Sequence, residues 1–537
     1  SLWLVSLSKD APFTFVDHAL KCGDSLVGME RSEIEVVLKG ASFQRELQVD
    51  YIKEVKEQQA KSFALFHADS RSDADDEQKR KALEEWNVST AYLRTVGDLL
   101  VAAFFNGKKL KDREQLKQSY LEATLEHSTA EALQDALSEP LERLLEGDKV
   151  LKPLHWQLAF PDVFSRPEPG FDIFVGNPPF IGGRKIKKAL GESYQSWLKD
   201  AFSGGNANAD LSAFFFRRCF QLMRKDGSMG LIATNTIYQG DTRSTGLRWI
   251  CLKGGTIYAA RKRYMWPGVA AVVVSVVHLF KGAYAGEKLL DKRPVEQITA
   301  FLFANGGHED PKKLKVNSNK SFQGSILLGM GFTFDDRELS DDETPGIPSP
   351  ITTMDRLIKG NKDNSEVIVP YIGGDEINSS PNQAFHRYAI NLGVRTEKEC
   401  RLRWPKLMEL LEKKVKPERL SKDKEVSKYP WWTHWRPRSE MYSSILNSES
   451  VLVAARHQRN WQVAIMKANQ IFSEALVIFD SQGNINLTFS ILQSRLHEQW
   501  SRFFGSSLGD GLRYTPSDCY ETFPFPKHKN NENDKIV

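Results

Sequence analysis

The stretch 171-FDIFVGNPPFIGG-183 constrains this chain more than any other. Apolar residues run up to Gly176, and Asn177, two prolines and Phe180 then stop the run. Proline fixes φ and has no backbone N–H, so Pro178 and Pro179 cannot extend a hydrogen-bonded ladder. The run reads as a buried strand ending at a rigid corner. That corner carries an amide side chain, fixed carbonyls and an aromatic ring. In open α/β sheets, ligands sit beyond this carboxyl end of the strands.

The neighbouring sequence supplies such a sheet. The segment 210-DLSAFFFRRCFQLMRKDG-227 reads as an amphipathic helix closed by Gly227, running into the apolar strand 228-SMGLIATN-235. A helix near 242–253, a strand at 255-GTIYAARKRY-264 and a long strand over 270–281 follow. Strands alternating with helices predict a doubly wound, mostly parallel sheet. The short connection between the last two strands predicts an antiparallel hairpin at one edge. Upstream, 18-HALKCGDSLVGME-30 reads as a strand and a turn. Residues 31–150 are charge-rich, poor in Pro and Gly, and helically spaced, as in 76-DEQKRKALEEWNVSTAYLRTVGDLLVAAFF-105. The polar, turn-rich 305-NGGHEDPKKLKVNSNKS-321 marks a boundary. The expected organisation is an α/β catalytic domain from residues 1–30 and 151–300, a helical insertion over 31–150, and a mixed α+β domain over 321–537.

At 537 residues the chain is too long for one core. No apolar run approaches the roughly eighteen residues of a membrane span, so no membrane association is expected. Cys22, Cys219, Cys251, Cys400 and Cys519 are scattered without a CxxC pair, which fits a reducing compartment. The histidines show no metal-ligand spacing, and no metal is expected. Asp76 with the following Glu-x-Lys lies in a helical pattern and reads as a solvated face rather than a nuclease site. The net charge of +4 names no partner, but residues 401–470 carry 15 Lys and Arg against 7 Asp and Glu. The chain starts at Ser1 inside the apolar run 1-SLWLVSLSKDAPF-13, which reads as the end of a helix and predicts that the chain is part of a longer protein.

The corner suits one chemistry well. An exocyclic amine attacks poorly because its lone pair is delocalised into the ring. Acceptors on its two hydrogens localise that pair. The side-chain oxygen of Asn177 is one acceptor, and the carbonyl of Pro178, held by the rigid backbone, is the other. Phe180 offers a face on which a flipped-out base can stack, at roughly 1–3 kcal/mol. The same corner also suits an amide nitrogen, so a protein glutamine or RNA is an alternative substrate, disfavoured by the long, basic and aromatic C-terminal domain.

Residues 171–183 resemble the amino-methylating motif of N6-adenine DNA methyltransferases. The turn 22-CGDSL-26 resembles that family's acidic turn, the helix start 210-DLSAFF-215 and strand 230-GLIATN-235 its next two motifs, and 263-RYMWPGVAAVVVSVVHLFKG-282 its late hairpin. The segments 366-EVIVPYIGGDEINSSP-381 and 497-HEQWSRFFGSSLGDGLRYTPSDCYETFPFP-526 resemble the large methyltransferases of restriction–modification and phage-defence systems. The resemblance implies a Rossmann-like methyltransferase sheet, incomplete at its N-terminus, followed by a target-recognition domain. It implies S-adenosylmethionine as cofactor, with Asp24 and Ser25 binding it and Asp24 accepting from its adenine. It assigns Asn177, Pro178, Pro179 and Phe180 to catalysis. Trp266 closes the other face of the flipped adenine, with Tyr264 in reserve. It also implies double-stranded DNA as substrate and a bacterial or archaeal cytoplasm. The family's Gly-rich cofactor loop should precede residue 1, because every glycine cluster here lies downstream of the Asp24 turn. A partner subunit or the preceding portion of the protein would then supply it.

In the C-terminal part, 430-PWWTHWRPR-438 and 456-RHQRNW-461 interleave aromatic residues with Arg and His. This suits contacts to phosphates and bases, and Arg436, Arg438, Arg456 and Arg459 are the candidates for DNA contact.

Overall fold

The computed structural model describes residues 19–41, 51–55, 57–58, 62, 65, 72–146, 149–266, 272–337, 340–422, 424–481, 483–508 and 511–526. The run 1–13 lies outside them. The chain divides into two compact units, Ser1–Glu309 and Asp310–Val537.

The first unit is built on a six-stranded sheet of β1 (Phe171–Gly176), β2 (Met223–Thr234), β3 (Gly255–Met265), β4 (Val273–Lys281), β5 (Lys288–Leu290) and β6 (Arg293–Val295), in the order β1-β2-β4-β3-β5-β6. Helices α6 (Gly183–Leu190), α7 (Glu192–Ala201) and α8 (Leu211–Leu222) carry the chain from β1 to its parallel neighbour β2. Asp210 caps α8 by accepting from the Ser212 N–H at 3.0 Å. Both faces of α8 are used. Ala213, Phe216 and Phe220 pack on the sheet, while Leu211 and Phe214 join a second core with the insertion helices.

Five expectations need correction. The sheet is not mostly parallel among the described residues: β1–β2 and β3–β5 are parallel, whereas β2–β4, β3–β4 and β5–β6 are antiparallel. The β3–β4 hairpin is not an edge feature, because β4 inserts between β2 and β3. Val274, Val277 and Leu279 of β4 are fully buried, and such an apolar strand takes a central place. Gly227 does not close α8, which ends at Leu222. Phe171 pairs with Met223 and Ile173 with Ser228, so residues 224–227 bulge out of β2. Asp172 draws Arg224 outward, Oδ1 to Nε at 2.6 Å, and a Cβ on Gly227 would meet the Asp172 carbonyl oxygen at 3.0 Å.

The fourth correction concerns β1. Its uninterrupted apolar run is that of a strand covered on both faces. Among the described residues β1 is an edge strand, and one of its faces is bare: Ile173 is 65% exposed and Val175 87%. The other face packs Phe174 near Trp156, with ring centroids 6.4 Å apart. The strand expected before Gly23 is also absent over residues 19–22, where a single bridge joins Asp24 to Pro153.

Helices α1 (Arg31–Ala41), α2 (Asp73–Asn106), α3 (Leu110–Glu126), α4 (Ala130–Ala136) and α5 (Ser138–Leu145) lie between the Asp24 turn and β1. Ser72 and Asp75 form a capping box that starts α2. Its length and apolar composition would suffice to cross a membrane, but 61% of that stretch is already buried inside the unit. Lys79, expected on a solvated face, is buried in α2, its long stem lying along apolar neighbours. His155 ties the Asp24 turn to α2: Nδ1 accepts from the Met29 N–H at 3.0 Å, and Nε2 lies 3.1 Å from Asp98. A Cβ at Gly97 would meet the His155 ring at 2.6 Å, so the approach needs glycine.

The second unit holds three small sheets. The first, in the order β14-β9-β10-β8, uses β8 (Thr333–Phe334), β9 (Ile368–Ile372), β10 (Arg387–Ile390) and β14 (Ile471–Phe472). The second, in the order β13-β11-β15-β7, uses β7 (Ser321–Gln323), β11 (Ser450–Ala455), β13 (Ala464–Lys467) and β15 (Leu476–Phe479). The third is β12 (His457–Gln458), β17 (Gly511–Arg513) and β16 (Ser506–Leu508).

Two histidines are locked into this unit in the neutral form. His434 is buried against Phe332 and donates from Nε2 to the Ile390 carbonyl at 2.9 Å, and burial lowers its pKa to about 4. Burial lowers His497 to about 3. The folded chain binds these protons less tightly than the unfolded chain does. Their stabilising contribution is therefore complete above about pH 6.5 and is lost as the pH falls toward 4 for His434. For His434 this amounts to about 3 kcal/mol. Thermal melts from pH 7.5 to 4 should show a fall in Tm that is smaller for His434→Gln than for the parent, by roughly 6–12 °C. Parallel pH dependences for the two proteins would contradict the assignment.

Candidate active site

The strand register decides what the sheet gathers at one edge. Gly176 pairs with Leu231, Thr234 with Val274, and Met265 with Val273. The carboxyl ends of β1, β2 and β3 and the start of β4 therefore lie at the same edge. Asn177 leaves β1 there, Asn235 leaves β2, and Trp266 leaves β3.

The corner is firmly seated, yet its functional groups are free. Pro178 is buried, while Asn177, Pro179 and Phe180 are exposed. The Leu211 N–H donates to the Ile181 carbonyl at 2.9 Å, which fixes the corner to the start of α8. Among the described residues, the Asn177 carboxamide has no hydrogen-bond partner and the Phe180 ring no aromatic neighbour. Trp266 is 37% exposed like Phe180, and its backbone N–H donates to the Val272 carbonyl at 2.9 Å. Tyr264 is engaged differently, with the Arg261 guanidinium 5.2 Å from its ring centroid. β3 lies three strand spacings from β1, about 14 Å. A ring held between Phe180 and Trp266 would thus require Trp266 to lean inward from the β3–β4 turn.

Asp24 and Ser25 sit in a separate turn of the same unit. Asp24 Oδ1 accepts from the Leu26 and Val27 N–H groups at 2.9 and 3.2 Å, and the Tyr194 hydroxyl donates to both carboxylate oxygens, at 3.1 and 2.9 Å. Burial pushes the Asp24 carboxyl above its ordinary value, against the pull of these donors. Trp156 Nε1 donates to the Ser25 carbonyl at 3.1 Å, and Trp197 Nε1 to the Leu26 carbonyl at 3.0 Å. Among the described residues Oδ2 receives the Tyr194 bond alone and keeps capacity for a further donor, such as a purine amine. These residues fit the adenine end of S-adenosylmethionine. Tyr194, Trp156 and Trp197 escaped the reading of the sequence. In 192-ESYQSWLKDA-201, Tyr194 and Trp197 show only the spacing of a buried helix face.

In the second unit, the aromatic residues of the two interleaved segments turn inward. Trp431, His434 and Trp461 are buried, and Trp432 Nε1 donates to the Arg395 carbonyl at 3.1 Å. Arg436 and Arg459 are exposed, and Arg438 and Arg456 half-buried. Most of the surrounding cationic side chains are already neutralised: Arg401, Arg403, Lys406, Lys413, Lys416, Lys422 and Lys428 each pair with a glutamate, and Lys414 with Asp341. None of the four candidate arginines forms an ion pair among the described residues. Among those residues no group of three or more His, Cys, Asp or Glu could hold a metal ion.

Residues 29–253 match the Eco57I restriction-modification methylase family, and residues 351–527 match the MmeI target recognition domain. The two matched stretches are similar, in this order, to the methylase part and the target-recognition part of restriction–modification enzymes. DNA methyltransferase A of Bacillus subtilis (strain 168) is 23% identical over 397 residues, which are 68% of this chain and 40% of that protein. The chain thus spans less than half the length of that relative. The type IIL restriction-modification enzyme MmeI, solved in complex with DNA, shares the fold with a TM-score of 0.52 at 18% identity, over 94% of this chain and 68% of that one.

Tyr194→Phe removes one of the donors that lower the Asp24 pKa. The Asp24 carboxyl should titrate higher still, read by carbon NMR of labelled aspartate, and stability should fall by about 1 kcal/mol. An unchanged Asp24 titration would rule out the hydroxyl as its partner.

Proposed function

We propose that this chain carries the catalytic corner and recognition domain for methylation of the N6 amine of a flipped-out adenine in duplex DNA, within a restriction–modification or phage-defence system. The observation that carries this reading is the Asn177 carboxamide. It is exposed and unpartnered, at the sheet edge that also presents the free rings of Phe180 and Trp266. Asn177 Oδ1 and the Pro178 carbonyl accept the two amine hydrogens and localise the lone pair. Pro179 keeps the Pro178 carbonyl from turning away. Phe180 and Trp266 bind the base through its faces. Asp24 and Ser25 hold the adenine end of S-adenosylmethionine, which supplies an activated methyl group when bound. The charge that develops on the amine is relieved when its proton leaves to solvent, so the corner needs no strong base.

In the complete enzyme, Asn177→Ala should lower the methylation rate by about 10²-fold or more, in line with the loss of one aligned hydrogen-bonding group. Affinity for duplex DNA should stay within a factor of about three. Methylation at the parental rate would remove the reading.

The bare face and unpaired edge of β1 favour a second element of this reading: a further strand-bearing segment, from the preceding polypeptide or a partner subunit, completes the sheet and the cofactor site. The chain alone should then bind S-adenosylmethionine no more tightly than high micromolar. Low-micromolar affinity by calorimetry would show that the pocket is already complete.

A further inference from the structure

We propose that Arg438, Arg456 and Arg513 form a single seat for one backbone phosphate of the DNA, preassembled by a hydrogen-bonded bridge through Gln323. Arg513 lies outside the basic window 401–470. The proposal rests on the DNA-methylating reading above.

The geometry begins with backbone pairing. Arg513 pairs across β17 and β12 with His457, and the Tyr514 N–H donates to the Arg456 carbonyl at 2.8 Å. Arg456 and Arg513 are thereby set on adjacent strands. The bridge joins the third arginine to them. Arg438 Nη2 donates to Gln323 Oε1 at 3.2 Å, and Gln323 Nε2 donates to the Glu474 carbonyl at 3.1 Å. The same carbonyl accepts from Arg456 Nη1 at 3.3 Å. Arg438 also donates from Nε to the Gly324 carbonyl at 3.4 Å.

This arrangement is electrostatically costly without an anion. Arg513 and Arg438 both act on Arg456 to lower its pKa, after burial, which is the larger effect. Arg456 and Arg513 likewise disfavour protonation of His457. The opposing carboxylates are Glu474 beside Arg456 and Glu440 beside Arg438, and Arg436 adds a further positive charge. No ion pair relieves the three arginines among the described residues. Arg456 Nε and Arg513 Nε are buried with no hydrogen-bond partner. Arg438 is held at φ +59°, a left-handed conformation that a non-glycine residue keeps only when its surroundings enforce it. Like charges, unsatisfied donors and a strained backbone converge on one place. A phosphate supplies the missing charge and accepts from several guanidinium N–H groups together.

A single seat makes a prediction that three separate contacts do not. Each phosphate neutralised contributes about 0.9 to the slope of log K against log salt. Arg438→Gln, Arg456→Gln and Arg513→Gln should each lower the slope by no more than about 0.9, and the triple variant by the same amount. Binding of the full chain to its duplex is measured from 50 to 300 mM salt, alongside duplexes carrying one uncharged methylphosphonate at each position in turn. One position should weaken the parent about tenfold and leave Arg513→Gln unaffected. Arg→Met variants, which remove the charge but keep an unbranched stem, replace any Gln variant whose melting curve shows misfolding. A slope loss near 2.7 for the triple variant, or no position silent in Arg513→Gln, would overturn the single seat. A parent chain that binds no duplex at all would overturn the DNA reading with it.

Discussion

The hydrogen-bonded register of the β1–β2–β4–β3 sheet is the constraint on which the rest depends. Because Gly176 faces Leu231 and Thr234 faces Val274, three strands end at one edge, and the Asn-Pro-Pro-Phe corner opens there. A one-residue slip of β1 would send Asn177 toward the opposite face. The corner is also fixed from behind, by the bond from Leu211 to Ile181 and by the Asp210 cap of α8. Among the described residues, this support leaves the Asn177 carboxamide without a hydrogen-bond partner and the Phe180 ring without an aromatic neighbour. That is what a site that must grip a base, and nothing else, requires.

The second unit shows the same economy with charge. Its basic segment contains many cationic side chains, yet about half are already paired with a carboxylate, and the exposed pairs among them contribute little to stability. Among the described residues no carboxylate forms an ion pair with Arg436, Arg438, Arg456, Arg459 or Arg513. Total charge is a poor guide to where an anion docks. The distribution of unpaired charge is a better one.

Much of this was legible in the sequence, for identifiable reasons. Two adjacent prolines after an apolar run left no other ending for β1, and the amphipathic spacing of the run from residue 210 announced α8. The place of β4 was not legible, because a hairpin's sequence carries no record of which neighbour its second strand joins. The bulge at 224–227 depends on the long-range attraction of Arg224 to Asp172, which sequence periodicity cannot express. Tyr194 reaches Asp24 from 170 residues away. Arg513 was hidden for the same reason: its neighbours Arg456 and Arg438 come from other strands and loops. The aromatic residues between the candidate arginines looked like a stacking surface, and Trp431 and Trp461 instead fill the core.

The central claim is that the Asn177 corner methylates the exocyclic amine of adenine in DNA. Nucleoside mass spectrometry of DNA from cells producing the complete protein tests it most directly. The account predicts N6-methyladenine at a defined site, absent when Asn177 is alanine. N4-methylcytosine in its place, or N6-methyladenine undiminished in Asn177→Ala, would contradict it.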